Sequence, residues 1–265
     1  MKITSLQNGR IKEAVKLRDR KGRDDTDLFL IEGYREIERA IGSGHRLEAV
    51  FYCPELFLGV NEIRLLQISG AELVECTREV FAKLSYRDRP DGLLAIAPQT
   101  HLTLKTLAER LKNIPNPFLV VAESIEKPGN LGTILRSCDA AGVHAVIVCD
   151  PTTDIHNPNV VRSSVGTLFT IPVCEADGDE TLAFLKNHGI SIVAATPHAK
   201  SEFTKVDLTR GVAVAVGTEQ YGLSKRWMEQ ADIQIRIPMF GVADSLNVAS
   251  ATTLVLYEVV RQRRA

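Results

Sequence analysis

The stretch 237-IPMFGVADSLNVASATTLVLYEVVR-261 decides how the C-terminal half is read. It begins as the end of a strand, which Pro238 stops by removing a backbone donor. Gly241 offers a bend with positive φ. Ser245 and Asn247 are both good N-cap residues, so a helix should start within a residue or two of them. From Val248 onward small and apolar residues dominate, and Arg261, Arg263 and Arg264 fall near the end, where cations suit the helix dipole. A strand, a Pro/Gly loop and a capped helix could simply close a sheet. The same loop could equally hold a ligand, and other segments have to decide.

Outside this stretch, the 265 residues are more than the commonest single domain needs and enough for two. With 45% hydrophobic and 25% charged residues the balance is that of a globular chain. A net charge of −1 does not announce a nucleic-acid binder, so any such signal must be local. Cys53, Cys76, Cys138, Cys149 and Cys174 form no C-x-x-C pair and have no His at ligand spacing. They predict buried thiols in a reducing cytoplasm and no metal site. No apolar signal core or membrane-length run is present, which predicts a protein without membrane contact.

One local charge signal opens the chain. Residues 2–23 carry Lys2, Arg10, Lys12, Lys16, Arg18, Arg20, Lys21 and Arg23 against Glu13 and Asp19. Ile11, Ala14, Val15 and Leu17 give this segment roughly helical apolar spacing. Such a basic helix suits RNA phosphates, with Arg10, Lys12 and Arg18 as candidates, or is a solvated face. Strands at 28–32, 47–52, 71–75 and 92–97 then alternate with helices at 34–41, 54–69 and 77–84, a small α/β unit. Arg87, Asp88 and Arg89 make a charged loop, either an RNA contact or a surface turn. Residues 99–103 read as a linker, followed by a helix over 104–111.

The continuous apolar run 118–122 reads as a strand buried on both faces. Behind it, 130-NLGTILR-136 places Asn130 where it can cap a helix and puts Arg136 six residues on. Strands are expected at 143–149, 168–173, 190–196 and 212–216, with helices at 160–166 and 180–186. The last of these strands runs into 217-GTEQYGL-223, an acid between two glycines. No G-x-G-x-x-G loop follows any strand, which disfavours a nicotinamide or flavin enzyme.

These three segments, N-L-G-x-x-x-R, G-x-E-x-x-G-L and I-P-M-x-G-x-x-x-S-L-N-V, resemble in order the three signatures of the SpoU (TrmH-like) RNA ribose 2′-O-methyltransferases, of the SPOUT class. The likeness covers roughly residues 116–264, and the opening part resembles the substrate-binding domain of many such enzymes, similar to kink-turn-binding ribosomal proteins. The implied fold is α/β: an N-terminal RNA substrate-binding domain at 1–98, a linker and connecting helix at 99–115, and a SPOUT domain at 116–265 with a mostly parallel sheet and a trefoil knot. The implied cofactor is S-adenosylmethionine, against Thr196, Gly217, Glu219, Ile237, Met239, Ser245 and Leu246. Asn130, Arg136, Glu219, Ser245 and Asn247 match the family's catalytic positions, and Arg136 and Arg162 are candidate cations for RNA phosphate. The resemblance also implies a homodimer and a ribosomal rather than transfer RNA target. A pure RNA-binding protein that keeps the fold is the competing reading, but it has no need of Asn130, Arg136, Glu219 and Asn247 together.

Overall fold

The computed structural model describes residues 2–264. It divides into two compact units, residues up to Thr100 with His156–Thr170, and His101–Ile155 with Ile171 onward. A cut at residue 98 therefore misses one exchange. The 156–170 segment, expected inside the SPOUT part, packs with the first unit.

In the first unit, β1 (Lys2–Ile3), β2 (Leu28–Glu32), β3 (Ala49–Tyr52), β4 (Glu72–Cys76) and β5 (Leu93–Pro98) form one mixed sheet in the order β1-β4-β3-β5-β2. The basic N-terminal segment is two helices rather than one, α1 (Gly9–Lys16) and α2 (Arg20–Thr26). Arg23 is the reason, since its buried guanidinium donates to the carbonyls of Leu17 (3.0 Å) and Arg18 (2.8 Å) and fixes the break. Helices α3 (Tyr34–Gly42), α4 (Glu62–Ile68) and α5 (Arg78–Leu84) follow, the last capped by Thr77 as expected. The helix expected over 54–69 is shorter. Pro54–Leu56 makes only a 3₁₀ turn, and the Glu62 carboxylate folds back to accept from the amides of Leu58 (3.1 Å) and Gly59 (2.7 Å).

The second unit opens with α6 (Leu104–Leu111) and carries a fully parallel seven-stranded sheet. Its strands are β6 (Phe118–Glu123), β7 (Ala145–Cys149), β8 (Val173–Ala176), β9 (Ser191–Ala195), β10 (Ser201–Glu202), β11 (Val212–Val216) and β12 (Ile233–Arg236), ordered β10-β12-β9-β11-β6-β7-β8. Both β6 and β11 are buried throughout, which explains their unbroken apolar runs. The strand expected at 168–173 starts only at its end. Thr167–Phe169 is a 3₁₀ turn in the first unit, next to α8 (Pro158–Ser163). Helices α7 (Pro128–Ala141), α9 (Gly178–Asn187), α10 (Lys225–Gln230) and α11 (Val248–Arg264) cover the sheet, and the fully buried Trp227 of α10 sits in the core between α6, α9 and the strands. All five cysteines are free and buried.

Candidate active site

The loops that leave β6, β11 and β12 share the carboxyl end of the parallel sheet, where ligands bind in open α/β folds. One hydrogen-bonded chain ties the three together. Asn247, the N-cap of α11, accepts at Oδ1 from the amides of Ala249 (3.0 Å) and Ser250 (3.4 Å). That fixes which way its side-chain amide points, so Nδ2 is the end that donates to Asn130 Oδ1 (3.1 Å). Asn130 Nδ2 in turn donates to Glu219 Oε1 (2.6 Å). An ionised carboxylate accepts only, so every dipole in the chain is aligned towards it.

Glu219 takes two further bonds, from the backbone amides of Glu126 (3.1 Å) and Lys127 (3.1 Å) at the start of α7. Burial works to raise its carboxyl. The bond from Asn130 and those from the backbone outweigh burial, and the pKa lies below the ordinary glutamate value. Asn130 is therefore not the cap of α7, as its position suggested. The helix starts at Pro128, and Asn130 in the first turn turns its side chain to the Glu219 loop.

The Glu219 loop is built to hold that acid still. Thr218 and Gly222 exchange amide-to-carbonyl bonds of 3.0 Å each, and Gly222 takes a φ of 71°. Gly217 is buried where a Cβ would overlap the Gly222 carbonyl, so its lack of a side chain serves the loop's own fold-back. Gly241 makes no comparable demand. It has no positive φ and a Cβ there would meet nothing.

The remaining expected residues lie as follows. Thr196 follows β9 and donates its amide to Ile235 O (2.9 Å), while Ile237 and Met239 are half-buried and Ser245 and Leu246 exposed. Among the described residues, none of 237–246 makes a hydrogen bond within the chain. The ten carbonyls and, Pro238 apart, the amides of this stretch thus remain available to an adenine and a ribose beside Met239 and Leu246, so the residues present fit S-adenosylmethionine. Arg136 is exposed on α7, six residues and so about 120° around the helix from Asn130, and bonds to none of the chain just described. Arg162 is exposed on α8 in the first unit.

Two of the candidate RNA cations are occupied. Arg10 makes a two-pronged pair with Glu72 (2.7 and 2.7 Å) over the Phe51 ring, and Arg18 donates to the carbonyls of Lys83 (2.5 Å) and Ser85 (2.6 Å). Lys12 is exposed and has no partner among the described residues. Arg87, in the charged loop, is turned inward onto Glu36 (2.7 Å) and the Glu32 carbonyl. The sequence reading overlooked Glu123, a carboxylate ending the apolar run of β6 and only 4% exposed, whose Oε2 accepts the Ser224 amide at 2.8 Å. Its signal was there: a charge buried at a strand's end needs a partner.

Comparison with known proteins agrees with this geometry. Residues 117–257 match the SpoU rRNA Methylase family, and residues 8–95 match the MRM3-like substrate binding domain. The chain belongs to the SpoU rRNA methylase family, and the expected α/β fold with a mostly parallel sheet and an N-terminal substrate-binding domain is borne out. It is 28% identical over 257 residues to the 23S rRNA (guanosine(2553)-2′-O)-methyltransferase RlmP of Bacillus subtilis, covering 97% of this chain and 98% of that one. A crystal structure of an RNA 2′-O ribose methyltransferase superposes over the full length of both chains with a TM-score of 0.88 at 44% identity. The methyltransferase AviRb of Streptomyces viridochromogenes, solved with AdoMet, gives 0.89 at 29% identity, over 98% of this chain and 99% of that one.

Proposed function

We propose that this chain transfers a methyl group from S-adenosylmethionine to a ribose 2′-hydroxyl of large-subunit ribosomal RNA. The observation that carries the reading is the aligned chain Asn247–Asn130–Glu219, which joins three loops at the carboxyl edge of the sheet. Rigid hydrogen-bonded loops are what an in-line methyl transfer needs, because orientation of the attacking oxygen accounts for much of the rate. Gly217, Met239 and Leu246 would hold S-adenosylmethionine, which would supply an activated methyl. Asn130 and Glu219 then orient the ribose by hydrogen bonds, and Ser245 and Asn247 close the third side. Arg136 is exposed, and its planar fork of N–H donors suits a phosphate-positioning group better than a base.

The substrate reading draws on relatives named as 23S rRNA 2′-O-methyltransferases and on the separate substrate-binding domain. Incubation with labelled S-adenosylmethionine and ribosomal RNA lacking the modification, followed by mass mapping, should place one methyl on a ribose of 23S rRNA. Methyl on a base, or on transfer RNA alone, would overturn it.

Three finer points belong to the same proposal. The protein is a homodimer, because Leu254 and Tyr257 on α11 and the fully exposed Phe240 and Val242 leave apolar surface uncovered beside the site. Sedimentation should give about twice 29.2 kDa, and a monomer at micromolar concentration would refute this. The SPOUT part is knotted. Strand β12 lies beyond β9 from β11, so the chain between them crosses over β9 with α10 against it, and this crossover supports the reading. The protein is cytoplasmic, as five unpaired buried thiols suit a reducing compartment, and thiol titration of the protein purified from its own cells should count five.

A further inference from the structure

A second set of contacts lies behind the chain that holds Glu219. Glu123 ends β6 and Ser224 ends the Glu219 loop, and the 2.8 Å bond between them closes a ring. Round the ring run residues 123–127, the amides of Glu126 and Lys127 on Glu219, residues 219–224, and Glu123 again. Arg226 braces this ring from outside. Its guanidinium pairs with Asp150 and stands 3.3 Å from Asp179 and 3.9 Å from Glu123 Oε1. Gly178 has no side chain where that guanidinium lies, and its amide donates to Asp150 Oδ1 at 3.0 Å.

The rim it grips is strained. Ser124 and Asp150 both hold left-handed backbone, with φ of 49° and 46°, at the ends of β6 and β7. Such a backbone conformation at a residue other than glycine is unfavourable and persists only where its surroundings over-determine it. Here the surroundings are the Ser124 amide on Cys149 O (2.9 Å), the Ser124 hydroxyl on Asp150 O (3.1 Å), and Arg226 on the Asp150 carboxylate. Strand-end strain locked by one cation beside a catalytic loop is more than a surface ion pair would require.

We infer that Arg226 and Glu123 are positioning residues that set the place of Glu219 through the ring they brace. The inference rests on the methyltransferase reading above and adds two residues that touch neither the nucleotide nor the methyl donor. A displacement of the Glu219 loop by an ångström or so is expected to lower turnover roughly tenfold or more while leaving RNA affinity alone.

The test is a double-substitution cycle on the full-length protein at saturating S-adenosylmethionine. Arg226→Gln should lower kcat about tenfold in the wild-type background and less than about twofold when Glu219 is already Gln, with the RNA KM unchanged in both. Glu123→Gln keeps an acceptor for the Ser224 amide and should lose less, with the same dependence on Glu219. If Arg226→Gln does not fold, Arg226→Lys keeps the pair with Asp150 and should show an intermediate loss with the same non-additivity. Equal losses in both backgrounds, accompanied by a matching fall in Tm, would reduce Arg226 to a structural ion pair and overturn the inference. Failure of the methyltransferase reading looks different, since the wild-type protein would then transfer no methyl at all.

Discussion

Each unit of this protein uses glutamate carboxylates to hold a loop, and the two sets are tuned in opposite directions. In the first unit Glu32 is fully buried, accepts the Ser85 hydroxyl and the Tyr86 amide (3.1 Å), and stands with Glu36 around Arg87. Burial is the largest influence on both, and both are raised above the ordinary carboxylate value. In the second unit Glu219 is only half-buried, and three donors lower it despite what burial it has. A sealed carboxylate that resists its charge is scaffolding for residues 85–91. An open one, kept charged by aligned amides at the mouth of a parallel sheet, is placed for work on something outside the protein.

The same truncation should therefore give opposite results in the two places. Glu219→Ala should lower methyl transfer by about a hundredfold or more while changing Tm little, because its partners are open to water. Glu32→Ala leaves the buried Ser85 hydroxyl and the Tyr86 amide without their acceptor and should lower stability by about 3 kcal/mol, yet S-adenosylmethionine should still bind the folded fraction. Calorimetry and thermal melts on the pair check both halves. If Glu32→Ala abolished cofactor binding in folded protein, the division into scaffold and site would fail.

Acidity separates them next. For Glu219 the folded pKa is depressed, so its contribution is present above the unfolded value of about 4.5 and is lost as pH falls through the lower folded value. For Glu32 and Glu36 the folded pKa is raised, so their contribution is complete below about 4.5 and declines as pH rises through the raised value. Glu32→Gln should flatten the fall in Tm on going from pH 4.5 towards 7, and Glu219→Gln should flatten only the acid limb below 4.5. A smaller effect concerns Arg136. Arg136→Lys keeps a cation for phosphate and should retain part of the activity at every pH, roughly a tenfold loss. Recovery to near wild-type rates only at high pH would identify a general base instead.

Much of this was legible in the residues. The unbroken runs 118–122 and 212–216 became the central pair β6 and β11, the 104–111 helix has the expected bounds, and Thr77 and Asn247 cap as their side chains suggested. What failed was local ambiguity. A short apolar run such as 168–173 does not say strand or turn by itself, and Gly166 at φ 80° with the 3₁₀ turn after it moved the start of the strand from 168 to 173. What could not be read at all was pairing across distance. Asn130 and Glu219 stand 89 residues apart, Arg226 and Asp150 stand 76 apart, and only the fold brings them together. Arg10 and Arg18 show the reverse, cations that looked free for RNA in the sequence and are taken up by Glu72 and by backbone carbonyls.

The linked amides are the core of the account, and Asn130 is their middle member. Single-turnover methylation by Asn130→Ala, measured beside its S-adenosylmethionine affinity, tests them most directly. The expected result is transfer slowed by about a hundredfold with affinity within a few-fold of wild type, since the amide orients the acid and the ribose rather than the donor. Transfer at the wild-type rate in that variant would contradict it.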